Sequence, residues 1–161
     1  MKTKLLLFLF LAGVILTISS CGKKGCTDST AQNYCETCKR SDQSCTYQGK
    51  IVFWWDKSFH DSLIAQGVST LKFNEIEVDL GNGGSIVTVG TANASDFWNV
   101  APECNSTGAF TTETNSITQF NTPVFIYEIK TNTGKTVELY DQISFQRNTC
   151  VQKQLIWEGL Q

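Results

Sequence analysis

The chain has 161 residues, with 13 basic and 15 acidic side chains and a formal net charge of −2 at pH 7. This charge balance excludes the strongly basic surface with which proteins bind nucleic acid. The length suits one domain with a small appendage, and seven cysteines point to an exported protein.

The first 20 residues have the layout of a secretory signal peptide. Lys2 and Lys4 precede an apolar run over residues 5–16, and small residues follow it. The run is shorter than the roughly 20 residues that cross a bilayer. The alternatives are an uncleaved signal anchor and an ordinary cleavage that leaves Cys21 unmodified.

Residues 18–21, Ile-Ser-Ser-Cys, resemble the lipobox of bacterial lipoproteins. The resemblance implies transfer of diacylglycerol to the sulfur of Cys21, cleavage before this residue and membrane anchoring through fatty acids such as palmitate. Two or three acyl chains hold a protein firmly, whereas a single chain binds only marginally. The predicted signal peptide therefore covers residues 1–20.

Six further cysteines form an even set, which in an exported chain is typical of a disulfide framework. They allow 15 pairings. Four of them lie within 26–45, so the economical plan joins Cys104 to Cys150 and keeps the four among themselves. Within the cluster we favour Cys26–Cys45 around Cys35–Cys38.

A zinc site is the rival interpretation of the cysteine cluster. Cys35 and Cys38 have the C-x₂-C spacing that suits a metal, but Cys26 and Cys45 do not form a second such pair. A redox role is also disfavoured, because no βαβ pattern surrounds the motif. We predict neither a metal nor a cofactor.

Residues 26–47 contain almost no aliphatic side chains, so this segment needs disulfides to be ordered. Residues 25–28 (Gly-Cys-Thr-Asp), 31–34 (Ala-Gln-Asn-Tyr) and 42–47 (Asp-Gln-Ser-Cys-Thr-Tyr) resemble a cysteine motif of exported Bacteroidota proteins. Cys35 and Cys38 are additions to that motif. The resemblance implies a spacer, so we predict a lipidated tether and stalk over residues 21–49.

From residue 50 the pattern changes to short apolar runs separated by Gly and Asn turns, which predicts an all-β fold. We expect a small antiparallel β-sandwich over residues 50–161. Residues 92–122 are interpreted as loops and short edge strands, and residues 59–66 as one short helix. The predicted strands cover residues 51–55, 69–79, 86–89, 124–129, 137–146 and 150–157, with turns at 81–84 and 131–134.

The Phe-Trp strand near residue 53, the glycine-rich hairpin and the closing segment 148–157 resemble a β-sandwich domain of Bacteroidota lipoproteins. More broadly, the region is similar to transthyretin-like sandwiches, which implies a module of seven strands. The resemblance brings no functional residues with it.

Candidate catalytic groups are few. His60 has Asp56, Ser58 and Asp61 nearby in sequence, but a triad is assembled in space and needs an oxyanion hole. We interpret His60 as a solvated loop residue. Glu75, Glu77 and Asp79 alternate along a predicted strand. We interpret them as a solvated sheet face, with a calcium or acid–base role as the alternative.

Tryptophans are the candidate binding residues, namely Trp54, Trp55 and Trp98. Adjacent residues in a strand point to opposite faces, so one of Trp54 and Trp55 should lie in the core. An exposed tryptophan can stack on a sugar ring or anchor a protein partner.

These observations predict a non-enzymatic, lipid-anchored envelope protein that binds a protein or a glycan. The alternatives are an accessory subunit of an envelope assembly and a glycan hydrolase with paired carboxylates. An acidic stretch after the lipidated cysteine marks surface export in several Bacteroidota. None follows Cys21, which favours the periplasmic side of the outer membrane.

Overall fold

A computed structural model describes residues 22–77, 85–122 and 124–157. The lipobox with Cys21 and the predicted turn at 81–84 lie outside these residues. The elements are β1 (Lys24–Gly25), β2 (Arg40–Ser41), β3 (Thr46–Trp54), α1 (Lys57–Ala65), β4 (Thr70–Glu77), β5 (Ser85–Asn93), β6 (Phe110–Thr118), β7 (Val124–Thr131), β8 (Thr136–Ser144) and β9 (Cys150–Gln154). Contacts divide the chain into two units, with the boundary between Cys45 and Thr46.

The first unit is an irregular segment closed by two disulfides. Cys26 is bonded to Cys45 and Cys35 to Cys38, as the cysteine spacing favoured. The two-residue strands β1 and β2 pair in parallel. A Cβ at Gly25 would lie 2.6 Å from the sulfur of Cys38, so the Cys35–Cys38 disulfide packs directly against the glycine of the motif.

In its described residues the second unit is a β-sandwich of seven strands, and the predicted all-β fold is confirmed. One sheet has the order β6-β3-β9 and the other β5-β4-β7-β8. The predicted hairpin is present, because β4 pairs with β5 in antiparallel register from Thr70–Asn93 to Glu77–Ser85. The third disulfide joins Cys104 to Cys150, as expected.

Aromatic rings fill the space between the two sheets. The ring centroid of Phe53 lies 5.3 Å from that of Phe73 and 5.3 Å from that of Tyr127. Phe73 in turn stacks on Phe110 at 4.1 Å. Aromatic pairs of this kind add about 0.5–1.5 kcal/mol each beyond the burial of their surface. Gly90 is required here, because a Cβ at this position would overlap the ring of Phe110.

Three features differ from the sequence-based expectation. Strand β3 begins at Thr46, so the sandwich starts four residues before the predicted boundary at residue 50. Strand β6 has nine residues where short edge strands were expected. Strand β9 pairs in parallel with β3, from Lys50–Cys150 to Trp54–Gln154, so the sandwich is not purely antiparallel.

The predicted short helix is α1. The carboxylate of Asp56 caps it by accepting the backbone N–H of Phe59 at 3.0 Å, which supplies a partner for a free donor of the first turn. Phe59 and Leu63 face the core. Gly67, with φ of +70°, follows the helix and turns the chain toward β4.

Candidate functional site

The aromatic cluster predicted from sequence is largely internal. Trp55 is fully buried, with its ring 5.6 Å from Trp98 and 6.1 Å from Phe59. Its indole N–H has no hydrogen-bond partner among the described residues. Trp55 is therefore the core member of the Trp54–Trp55 pair and cannot contact a ligand directly.

Trp54 and Trp98 are half-buried. The backbone N–H of Trp98 donates to the carbonyl of Trp55 at 2.9 Å, which fixes the loop that carries it. Neighbouring Phe97 is exposed, and its ring lies 5.1 Å from that of His60. The structure thus leaves two of the three candidate tryptophans partly available.

His60 lies in α1, and the interpretation as a loop residue is wrong. Its Nδ1 is 3.0 Å from Oδ1 of Asp61, and Lys57 is 2.7 Å from the other oxygen of that carboxylate. The pKa of Asp61 is held below its ordinary value, mainly by the hydrogen bond from Lys57 and secondly by the hydrogen bond from His60. Asp56 caps the helix, whereas Lys57 and Asp61 form an i,i+4 ion pair on its surface and His60 hydrogen-bonds the same Asp61 carboxylate.

Glu75 also departs from its interpretation as part of a solvated sheet face. It is half-buried, and the hydroxyl of fully buried Tyr127 donates to Oε2 of Glu75 at 3.1 Å. The pKa of Tyr127 is raised far above its ordinary value. Burial of the phenol is the largest cause, and the negative charge of the Glu75 carboxylate is the second. The raised pKa extends to more alkaline pH the range over which the phenol stays protonated and donates this hydrogen bond.

A polar cleft of about 540 Å³ lies beside the Cys104–Cys150 disulfide. Glu113 accepts a hydrogen bond from Gln48 at 3.1 Å and pairs with Lys50 at 3.4 Å next to it. The cleft is lined mainly by amide and other polar side chains, namely Gln48, Lys50, Glu103, Asn105, Asn148, Thr149 and Gln152. Such a lining can hydrogen-bond a neutral, hydroxyl-rich molecule.

The edge of the four-stranded sheet is a surface that sequence reasoning missed. Ile86 is 61 % exposed and Val87 52 % exposed, and Val89 is exposed beside them. All three lie on β5, which is an outer strand of this sheet. Among the described strands, β4 is the one that is hydrogen-bonded to β5. We define these residues as the β5 edge. The uncharged composition of the strand was the available signal, since natural edges usually carry charges.

Metal coordination by the cysteine cluster is ruled out in the oxidised chain, because all four sulfurs are in disulfides. Within the described ranges, no three His, Cys, Asp or Glu side chains are grouped in a way that could hold a metal ion. The same part of the chain contains no helix with the length and apolarity needed to cross a membrane.

Comparison of the chain with protein-family models, with curated proteins and with solved structures finds no match.

Proposed function

We propose that this chain is a lipid-anchored protein of a bacterial cell envelope and acts, without catalysis, as a binding module for another protein. The observation that carries the proposal is the exposed apolar β5 edge. An accessory subunit of an envelope assembly is a special case of this function, because such a subunit would also present the edge to a protein.

The chemistry of the β5 edge favours a protein over a glycan. An edge strand presents backbone N–H and C=O groups that an added strand of a partner can pair. Exposed valine and isoleucine side chains offer no hydrogen bonds to sugar hydroxyls. Of the three candidate tryptophans, Trp55 is fully buried and cannot stack on a sugar ring.

A photo-reactive amino acid in place of Val87 tests the proposal in the cells that make the protein. We expect illumination to produce a covalent adduct with a protein, because position 87 would lie inside the interface. The matched control is the same amino acid in place of Val100, which is 75 % exposed outside the strands. No adduct at position 87, or equal adducts at both positions, would contradict binding through the β5 edge.

Export is supported by three disulfides, which persist in oxidising compartments, and membrane anchoring is supported by the lipobox alone. We expect a Cys21→Ala chain to lose the label from a fed fatty acid, because the thiol that accepts the lipid is absent. Persistence of the label on the variant would overturn this part of the proposal.

For the periplasmic location, the lipidated chain should resist protease on intact cells and be cleaved after lysis.

A glycan is the second candidate ligand, and the observation that favours it is the amide-lined cleft beside Cys104–Cys150. The cleft lies apart from the β5 edge in sequence, on the ends of β3 and β9 and the loops that precede β6 and β9. Binding of a glycan by a chain that gives no adduct at position 87 would favour this candidate over a protein partner.

A further inference from the structure

We infer that the protein partner of the β5 edge is a second copy of this chain, and that two β5 strands pair antiparallel about a twofold axis beside Val87. The inference rests on the proposed function and specifies the partner of that surface. The pairing would join the two four-stranded sheets into one continuous sheet.

The available part of β5 is short and well defined. At one end, the ring of Phe110 from β6 packs against Gly90. Between Phe73 and Asn74 of β4 the register shifts, so Val89 is an extra residue on β5 and bends the strand there. The segment 85–89 that remains has Val87 at its centre, with exposed side chains on both of its neighbours.

Two of the devices that normally prevent edges from pairing, charged side chains and proline, are missing from this strand. Strand β5 (Ser85–Asn93) contains no charged residue and no proline. Its exposed residues at 86–89 are Ile, Val, Thr and Val, all β-branched and therefore suited to a strand. The bulge at Val89 limits the length of the pairing without blocking its centre.

The uncharged composition of β5 also indicates what kind of partner strand can pair with it. A matching partner needs an unpaired edge without charges, because a charged side chain opposite Val87 would find no counter-charge on β5. Every copy of the chain carries such a strand at the same place. A twofold contact is also self-complementary, since each residue meets its mate across one axis. With the axis beside Val87, Ile86 faces Thr88 of the second copy.

Membrane anchoring suits a contact of this size. About five residues per strand bury less surface than the roughly 800 Å² per partner of a standard stable interface. Two chains tethered to one membrane have a raised effective concentration, so a weak contact between them is populated. We therefore expect a reversible dimer rather than a permanent one.

Sedimentation velocity of the mature chain from residue 22, exported without lipid and over a range of concentrations, tests the inference. We expect a reversible monomer–dimer equilibrium. Val87→Lys should weaken dimerisation at least tenfold, because two ammonium groups would lie on directly opposed residues. Val100→Lys is the matched control and should dimerise like the unsubstituted chain. The denaturation midpoint of each variant confirms that it is folded.

A charge swap tests the position of the axis. Val87→Glu alone should also be monomeric, whereas an equimolar mixture of Val87→Lys and Val87→Glu should regain the dimer. A mixture that stays monomeric while the unsubstituted chain dimerises would overturn pairing at Val87.

The mass of the adduct formed at position 87 in cells distinguishes the proposed function, a protein partner at the β5 edge, from the further inference that this partner is a second copy of the chain. An adduct with the mass of two chains supports the inference. An adduct of another mass, together with a monomeric purified chain, overturns self-pairing but keeps a protein partner. A monomeric chain without any adduct at position 87 overturns both.

Discussion

Replacing Phe53 by alanine is expected to lower the free energy of unfolding of the sandwich by about 3–5 kcal/mol. Phe53 is fully buried on β3 and contacts rings from both sheets, with Phe73, Phe110 and Tyr127 within 5.3–6.1 Å between centroids. The substitution removes apolar surface from the core and leaves a cavity, because neighbouring rings held by different strands cannot all move into the space. Total stabilities of domains are only about 5–15 kcal/mol, so the loss would be a large fraction.

Urea unfolding followed by tryptophan fluorescence measures this effect, since buried Trp55 reports on the core. Phe120→Ala is the matched control, because Phe120 is 71 % exposed. A surface truncation of this kind changes stability by less than about 0.5 kcal/mol. If the two variants unfold at the same urea concentration, Phe53 is not the centre of the core.

Local sequence patterns predicted the strands that combine β-branched or aromatic residues with turn residues at their ends. Strand β6 was underestimated because its sequence, Phe-Thr-Thr-Glu-Thr-Asn-Ser-Ile-Thr, is mostly polar. It is an edge strand in which only Phe110 and Ile117 are fully buried. Pairing with β3 over Thr46–Thr118 to Phe53–Phe110 makes it a strand, and such a long-range partner leaves no local pattern.

The candidate site was less predictable than the fold. Strand alternation predicted that Trp54 and Trp55 face opposite ways, but it did not indicate which of them is buried. Val52, on the side of Trp54, is as fully buried as Phe53, on the side of Trp55. For Ile86 and Val87 the uncharged composition of β5 was a weak signal of exposure, because an apolar strand more often predicts a buried one. Whether an edge is covered depends on the position of the other sheet.

Removal of the Cys104–Cys150 disulfide is the second change with a large expected effect. The bridge spans 46 residues of sequence and links the loop before β6 to the first residue of β9. In the chain-entropy model, closing a loop of this length contributes about 4 kcal/mol through the unfolded state. We expect the Cys104→Ser/Cys150→Ser chain to lose most of that amount. Both positions are only half-buried, so the serine hydroxyls add little desolvation cost.

Urea unfolding without reductant measures the loss, and the slope of the transition gives a second readout. An unbridged unfolded chain exposes more surface, so the slope should rise while the midpoint falls. Cys35→Ser/Cys38→Ser is the matched control, because that bridge spans three residues and lies outside the sandwich. The sandwich should keep its midpoint in this control. Equal midpoints for the two double variants would mean that the Cys104–Cys150 bridge does not stabilise the sandwich through loop closure. The loop would then already be compact in the unfolded chain.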